Sequence, residues 1–135
     1  MLPDPFLLGD SAVIHALLQV QPENQPVYLV GGSVRDALLQ RQMHDFDFAV
    51  SRGALQLGRR LANSLGGAFY PLDEERETAR VIWVSPEGQR VVIDIALLRG
   101  KDLQEDLRGR DFTINAMALD IRRLQTLIDP LRGLQ

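Results

Sequence analysis

Residues 27–50 read VYLVGGSVRDALLQRQMHDFDFAV, and three features of that stretch decide the fold. Residues 27–30 form a short apolar run closed by Gly31-Gly32, the pattern of a buried strand running into a tight turn. Ser33 opens a helix, with Asp36 three residues on as its capping partner before Ala37, Leu38 and Leu39. Asp45-Phe46-Asp47-Phe48 then alternates polar and apolar, as a strand with one buried face does. Strand, helix and strand in succession predict an α/β chain.

Working outward, Asp10 or Ser11 can cap a helix reaching about residue 20, with Val13, Ala16, Leu17 and Val20 on one face. Pro22 and Pro26 break it. Downstream, a helix is expected over 53–65, stopped by Gly66-Gly67, then a strand near 68–72 and an acidic turn at 73–75. Segments 78–85 and 89–98 flank Pro86-Glu87-Gly88, a hairpin signal. A polar helical piece from Asp102, the segment 110–120 and a short run at 127–129 follow. A hairpin set among strand–helix alternations predicts a mixed sheet.

The composition narrows the function. A length of 135 residues suits one domain, and 45% hydrophobic residues exclude intrinsic disorder. No stretch approaches the roughly 20 apolar residues of a membrane span, and the first residues lack a secretory signal layout. With no cysteine, disulfides, thiolate catalysis and Cys-ligated zinc are excluded. His15 and His44 are too few for a His-rich metal site. The net charge of −3 is not that of a basic domain built to wrap nucleic acid. Fourteen of the fifteen cations are arginine, and none precedes Arg35, so any phosphate chemistry must begin there.

Four places could carry chemistry. At Gly31-Gly32-Ser33 a strand end and a helix start bring free backbone N–H groups together, and Arg35 lies one turn on; that suits a phosphate. Taken alone, it reads more simply as an ordinary strand-to-helix turn, and it is neither a P-loop nor a G-x-G-x-x-G fingerprint. Asp45 and Asp47 share one strand face, roughly 6.5–7 Å apart at the backbone. Adjacent like charges call for a cation, and hard oxygen donors favour magnesium or manganese; a solvated polar face is the bland alternative. Asp94 lies in the otherwise apolar run 91–98, where a buried carboxylate needs a metal or an arginine partner; we read it as a ligand. Arg110, Asp111 and Asn115 offer a cation, an acceptor and an amide within about one helical turn, fit for a triphosphate and a ribose edge or merely for capping a helix. Tyr70 and Trp83 are read as core or face residues rather than base-stacking platforms.

In this order the pieces resemble the head domain of class II tRNA nucleotidyltransferases and bacterial poly(A) polymerases. The matching stretches are residues 27–50, VVIDIALLRG at 91–100 and EDLRGRDFTINAMALD at 105–120, within a likeness running from Val27 to about Gly133. The resemblance implies a polymerase-beta-like nucleotidyltransferase fold, an α/β mixed sheet of about five strands flanked by helices. It implies metal ligation by Asp45, Asp47 and Asp94, and nucleotide contacts from Gly31, Gly32, Ser33, Arg35, Arg110, Asp111 and Asn115. The implied reaction is a two-metal transfer of CMP or AMP from CTP or ATP to a tRNA 3′ end, using two Mg2+ ions or Mn2+ in their place. Poly(A) addition to RNA is the alternative within the class, and a non-catalytic nucleotide- or metal-binding module the alternative outside it. A nucleotidyltransferase acting on a protein or small molecule fits the RDFTINAM segment less well.

Three departures from the family pattern stand out. Gly109 takes the place of the first of two usual arginines, and only Gly100 and Lys101 remain of a loop that is longer in most CCA-adding relatives. That shortening resembles enzymes that add only two cytidines. The sequence ends at LIDPLRGLQ, where the family enters its neck helices. A catalytic head fragment over 1–135 is therefore expected, cytoplasmic and off the membrane, weakly active or inactive alone, with RNA held mainly by neck, body and tail domains absent here.

Overall fold

Among the described residues, strand periodicity places the buried aromatic and isoleucine side chains, Phe46, Phe48, Ile93 and Ile95, on one side of a single sheet. The computed structural model describes residues 12–31, 44–98, 118–123 and 127–128. Helix α1 (Ala12–Val20) leads to β1 (Tyr28–Val30), and β2 (Asp45–Val50) is followed by α2 (Ala54–Leu65). Next come β3 (Ala68–Asp73), β4 (Thr78–Val84) and β5 (Arg90–Leu97), then the short strands β6 (Ala118–Asp120) and β7 (Leu127–Ile128). The sheet order is β3-β4-β5-β2-β1-β6-β7. The expected five-stranded mixed sheet is its first five members, and β6 and β7 extend it beyond β1. Those two strands are three and two residues long, too short to show a period in sequence.

The pair β2–β5 is parallel, and every other pair is antiparallel. Phe46, Phe48, Val81, Ile93 and Ile95 bury one face of the sheet against α1 and α2. On α1 the inward residues are Val13, Ile14, Ala16 and Leu17, whereas Val20 is only partly buried; Ile14 takes the share expected of it. Helix α2 stops at Gly66-Gly67, where the Gly67 N–H reaches the Ala62 carbonyl at 2.9 Å.

Gly58 sets how closely α2 lies on the sheet. A Cβ there would fall 2.7 Å from Ala79 Cβ and 3.2 Å from the Phe69 ring, so a side chain would push the helix off β4. The expected hairpin is present, with Ser85 N–H bonded to Gln89 O and Gly88 N–H to Ser85 O, each at 2.8 Å. In the acidic turn, Asp73 Oδ1 accepts from the Glu75 and Arg76 N–H groups, the local bonding that makes Asp a turn former. Buried Gln25 ties the α1–β1 loop to the end of β2 by donating to the Arg52 carbonyl at 2.5 Å. Arg122, after β6, donates to the Pro22 and Glu23 carbonyls of the same loop.

Candidate functional site

The face of the sheet opposite the helices carries the charged residues. Along β2, Asp45 and Asp47 are exposed while Phe46 and Phe48 are buried, their rings stacked at 5.9 Å on the core side. The alternation read in the sequence thus puts both carboxylates on one accessible face. The parallel neighbour β5 sets Asp94 directly beside Asp47. On the far side of β5, the antiparallel register sets Arg80 of β4 beside Asp94, and Tyr70 of β3 beside Arg80. Residues directly opposite one another point to the same side, so Tyr70, Arg80, Asp94 and Asp47 form one row across four strands spaced about 4.8 Å apart.

Asp94 is half-buried and held by Arg80 through a two-pronged bond, Nε to Oδ1 at 2.8 Å and Nη2 to Oδ2 at 3.0 Å. This is the fork geometry for which arginine is suited and lysine is not. The bond to Asp94 and the charge of that carboxylate raise the Arg80 pKa, with Asp45 and Asp47 adding to the effect. Arg80 therefore lies in the negative field of all three carboxylates.

Gly31 brings the end of β1 to this face. Its φ is +67°, a left-handed conformation that glycine adopts without strain, and a Cβ there would sit 4.0 Å from Asp47 Oδ2. The structure thus brings together Gly31, Asp45, Asp47 and Asp94. Gly32, Ser33, Arg35, Arg110, Asp111 and Asn115 lie outside the described residues, as do Gly100, Lys101 and Gly109. Tyr70 is a face residue, 48% exposed, and half-buried Trp83 packs against the core.

Arg80 is the site residue that sequence reasoning did not single out. An arginine partner for Asp94 was one of the two readings open, and the hairpin held the signal. Val84 opposite Arg90 at the turn dictates Arg80 opposite Asp94 four residues down each strand.

The donor set suits a hard divalent cation: carboxylate oxygens on a water-accessible face, two from one strand and a third from its neighbour. Among the described residues, no three His, Asp or Glu side chains are drawn together into a metal cage, and both oxygens of Asp94 are engaged by Arg80. Among the same residues, no helix is long and apolar enough to cross a membrane.

The sequence pattern of the family described as the poly A polymerase head domain matches residues 27–135. The chain belongs to this family. A CC-adding tRNA nucleotidyltransferase of Geobacter sulfurreducens is 46% identical over 106 residues, covering 78% of this chain and 24% of that protein. An A-adding tRNA nucleotidyltransferase of Deinococcus radiodurans is 44% identical over 107 residues, covering 79% and 23%. Among solved structures, a CCA-adding enzyme in complex with ATP superposes with a TM-score of 0.76 at 34% identity, covering 97% of this chain and 31% of that one. The Thermotoga maritima CCA-adding enzyme complexed with tRNA gives 0.71 at 34% identity, covering 98% and 31%. This head-domain family member therefore has the fold expected from its sequence, and it spans about a quarter of the length of these curated relatives.

Proposed function

We propose that this head domain is the catalytic part of an RNA 3′-end nucleotidyltransferase that transfers CMP or AMP from CTP or ATP to tRNA, by CCA or CC addition. The observation that carries the reading is the convergence of Asp45, Asp47 and Asp94 on one open face beside the Gly31 turn. The relatives' names supply the reaction: CC-, A- and CCA-adding tRNA enzymes all align with this region. The CC- and A-adding relatives match at nearly equal identity, 46% and 44%, so the head residues are common to enzymes of both outcomes. The relatives named above are tRNA enzymes, which favours tRNA over the poly(A) alternative.

Asp45, Asp47 and Asp94 would hold two magnesium ions, or manganese in their place. When bound, these ions supply activation of the RNA 3′-hydroxyl and charge neutralisation at the leaving pyrophosphate. The chain's own task is to hold ionised oxygens at fixed positions and keep the reacting groups in register. Backbone N–H groups of Gly31, Gly32 and Ser33 would cradle the triphosphate, with Arg35 as a charge-assisted contact. Arg110 and Asp111, supported by Asn115, would bind the nucleotide sugar and phosphates. A non-catalytic binding module has no need to gather three like charges on one face, a costly arrangement. We assign the domain to the cytoplasm, where tRNA 3′ ends are processed, and assign base choice and most of the RNA grip to regions of the longer relatives outside the head.

The test is incorporation of labelled CMP or AMP by the full-length protein. The substrates are tRNAs ending before, within or after CCA, with CTP and ATP supplied singly. Asp47→Ala should lower incorporation by about 100-fold or more, the scale of losing a principal electrostatic group. Activity within about tenfold of the unsubstituted protein would refute the metal assignment.

A further inference from the structure

We propose that Arg80 is a positioning residue that competes for the third carboxylate: it holds Asp94 toward β4 and so keeps the divalent-cation affinity of the Asp45–Asp47–Asp94 face low. The inference rests on the metal assignment above and concerns a residue which that assignment does not use.

Geometry comes first. Both oxygens of Asp94 accept from one guanidinium, at 2.8 and 3.0 Å, and that guanidinium comes from β4. Asp47 stands on the opposite flank, in β2, at the same register. The row therefore runs Arg80, Asp94, Asp47, and a cation shared by the two carboxylates would draw Asp94 away from the arginine. In keeping with this, the three carboxylates do not form a cage with Asp94 held as it is.

Charge and packing point the same way. Three carboxylates line this face, and Arg80 within the row offsets part of the negative charge that an arriving ion meets. The pair is not a buried strut, because the Arg80 side chain is 40% exposed and Asp94 25%. Beneath it the core is already closed by Phe48, Ile93 and Ile95. An arginine on the open face can swing into water when Asp94 turns, so the exchange costs little reorganisation.

The test is titration with Mn2+ alone, reading free Mn2+ by electron paramagnetic resonance, so no turnover is required. Arg80→Met and Arg80→Gln should each bind Mn2+ about three- to tenfold more tightly, since each removes one positive charge a few ångströms away and frees both Asp94 oxygens. Arg80→Lys, which keeps the charge and loses the fork, should fall between them and the unsubstituted protein. Adding Arg80→Met to Asp94→Asn should change affinity by much less than adding it to the unsubstituted chain, because the competition runs through Asp94. Unchanged or weaker binding in both neutral variants would overturn the proposal. Asp47→Asn reads the underlying assignment separately: loss of Mn2+ binding upholds it, and undiminished binding refutes it whatever the Arg80 variants do.

Discussion

Gly58→Ala should destabilise the domain, although on an isolated helix the same change would help. On helix propensity alone, replacing a mid-helix glycine by alanine gains about 0.5–1 kcal/mol. Here the new methyl would lie 2.7 Å from Ala79 Cβ, well inside the roughly 3.5–4.0 Å separation that carbon atoms prefer, and 3.2 Å from Phe69 Cε1. Ala79 is itself a β-carbon on a central strand, so relief requires α2 to lift from β4. Lifting the helix loosens Leu57 and Leu61, which are 3% and 0% exposed. Overpacking of this kind costs about 1–3 kcal/mol, which after the propensity gain leaves a net loss of up to about 2.5 kcal/mol. For a domain of this size that is a fall of up to about 10 °C in melting midpoint. Thermal melts followed by circular dichroism would measure it, alongside Gly66→Ala. At Gly66 no atom lies within 4 Å of the added methyl and the only cost is the left-handed φ of +75°. A rise in midpoint for Gly58→Ala would refute the reasoning. Because Ala79 adjoins Arg80, Gly58→Ala should also weaken the effect of Arg80→Met on Mn2+ binding.

Further outcomes follow from the same contacts. Phe48→Ala, at a position 1% exposed, should cost about 3–5 kcal/mol in urea unfolding at an unchanged slope. Gln25→Ala removes a buried donor to the Arg52 carbonyl and should cost about 1–2 kcal/mol by the same measurement. Arg80→Met should shift stability by less than about 1 kcal/mol, since the pair is partly exposed. The raised Arg80 pKa contributes stability that is fully present below the ordinary arginine value and is lost only as pH rises through the higher folded value. The stability difference between Arg80→Met and the unsubstituted chain should therefore be flat from about pH 6 to 9. A slope in that window would mean another group is involved.

Much of the fold was legible because the period of the apolar residues changes cleanly from element to element. Asp45-Phe46-Asp47-Phe48 states both a strand and which side of it is buried, and Gly66-Gly67 ends α2 where expected. What could not be read was lateral order. Nothing local says that β2 lies beside β5, yet that neighbour relation places Asp94 next to Asp47. Asp94 reads in sequence as one polar residue in an apolar run and suggests full burial. In the sheet, Val92 and Ala96, on its own face, are only half-buried, so the run reflects a strand covered on one side and partly open on the other. Arg80 was hidden for a different reason: arginine is common in this chain, and only the hairpin register distinguishes this one from the other thirteen.

The parallel pairing of β2 with β5 also bears on how the molecule is made. Forty-seven positions separate Asp47 from Asp94, and α2, β3 and β4 lie between the two strands in the chain. Closing so long a segment costs chain entropy that is recovered only when the strands pair, which makes such contacts slow to appear. A growing chain that has emerged only as far as β4 has its acidic pair and its arginine, but no strand to set between them. Tyr70, Arg80 and Asp94 come from consecutive antiparallel strands and have a local precursor; the junction of that row with Asp47 has none and waits on the long-range pairing.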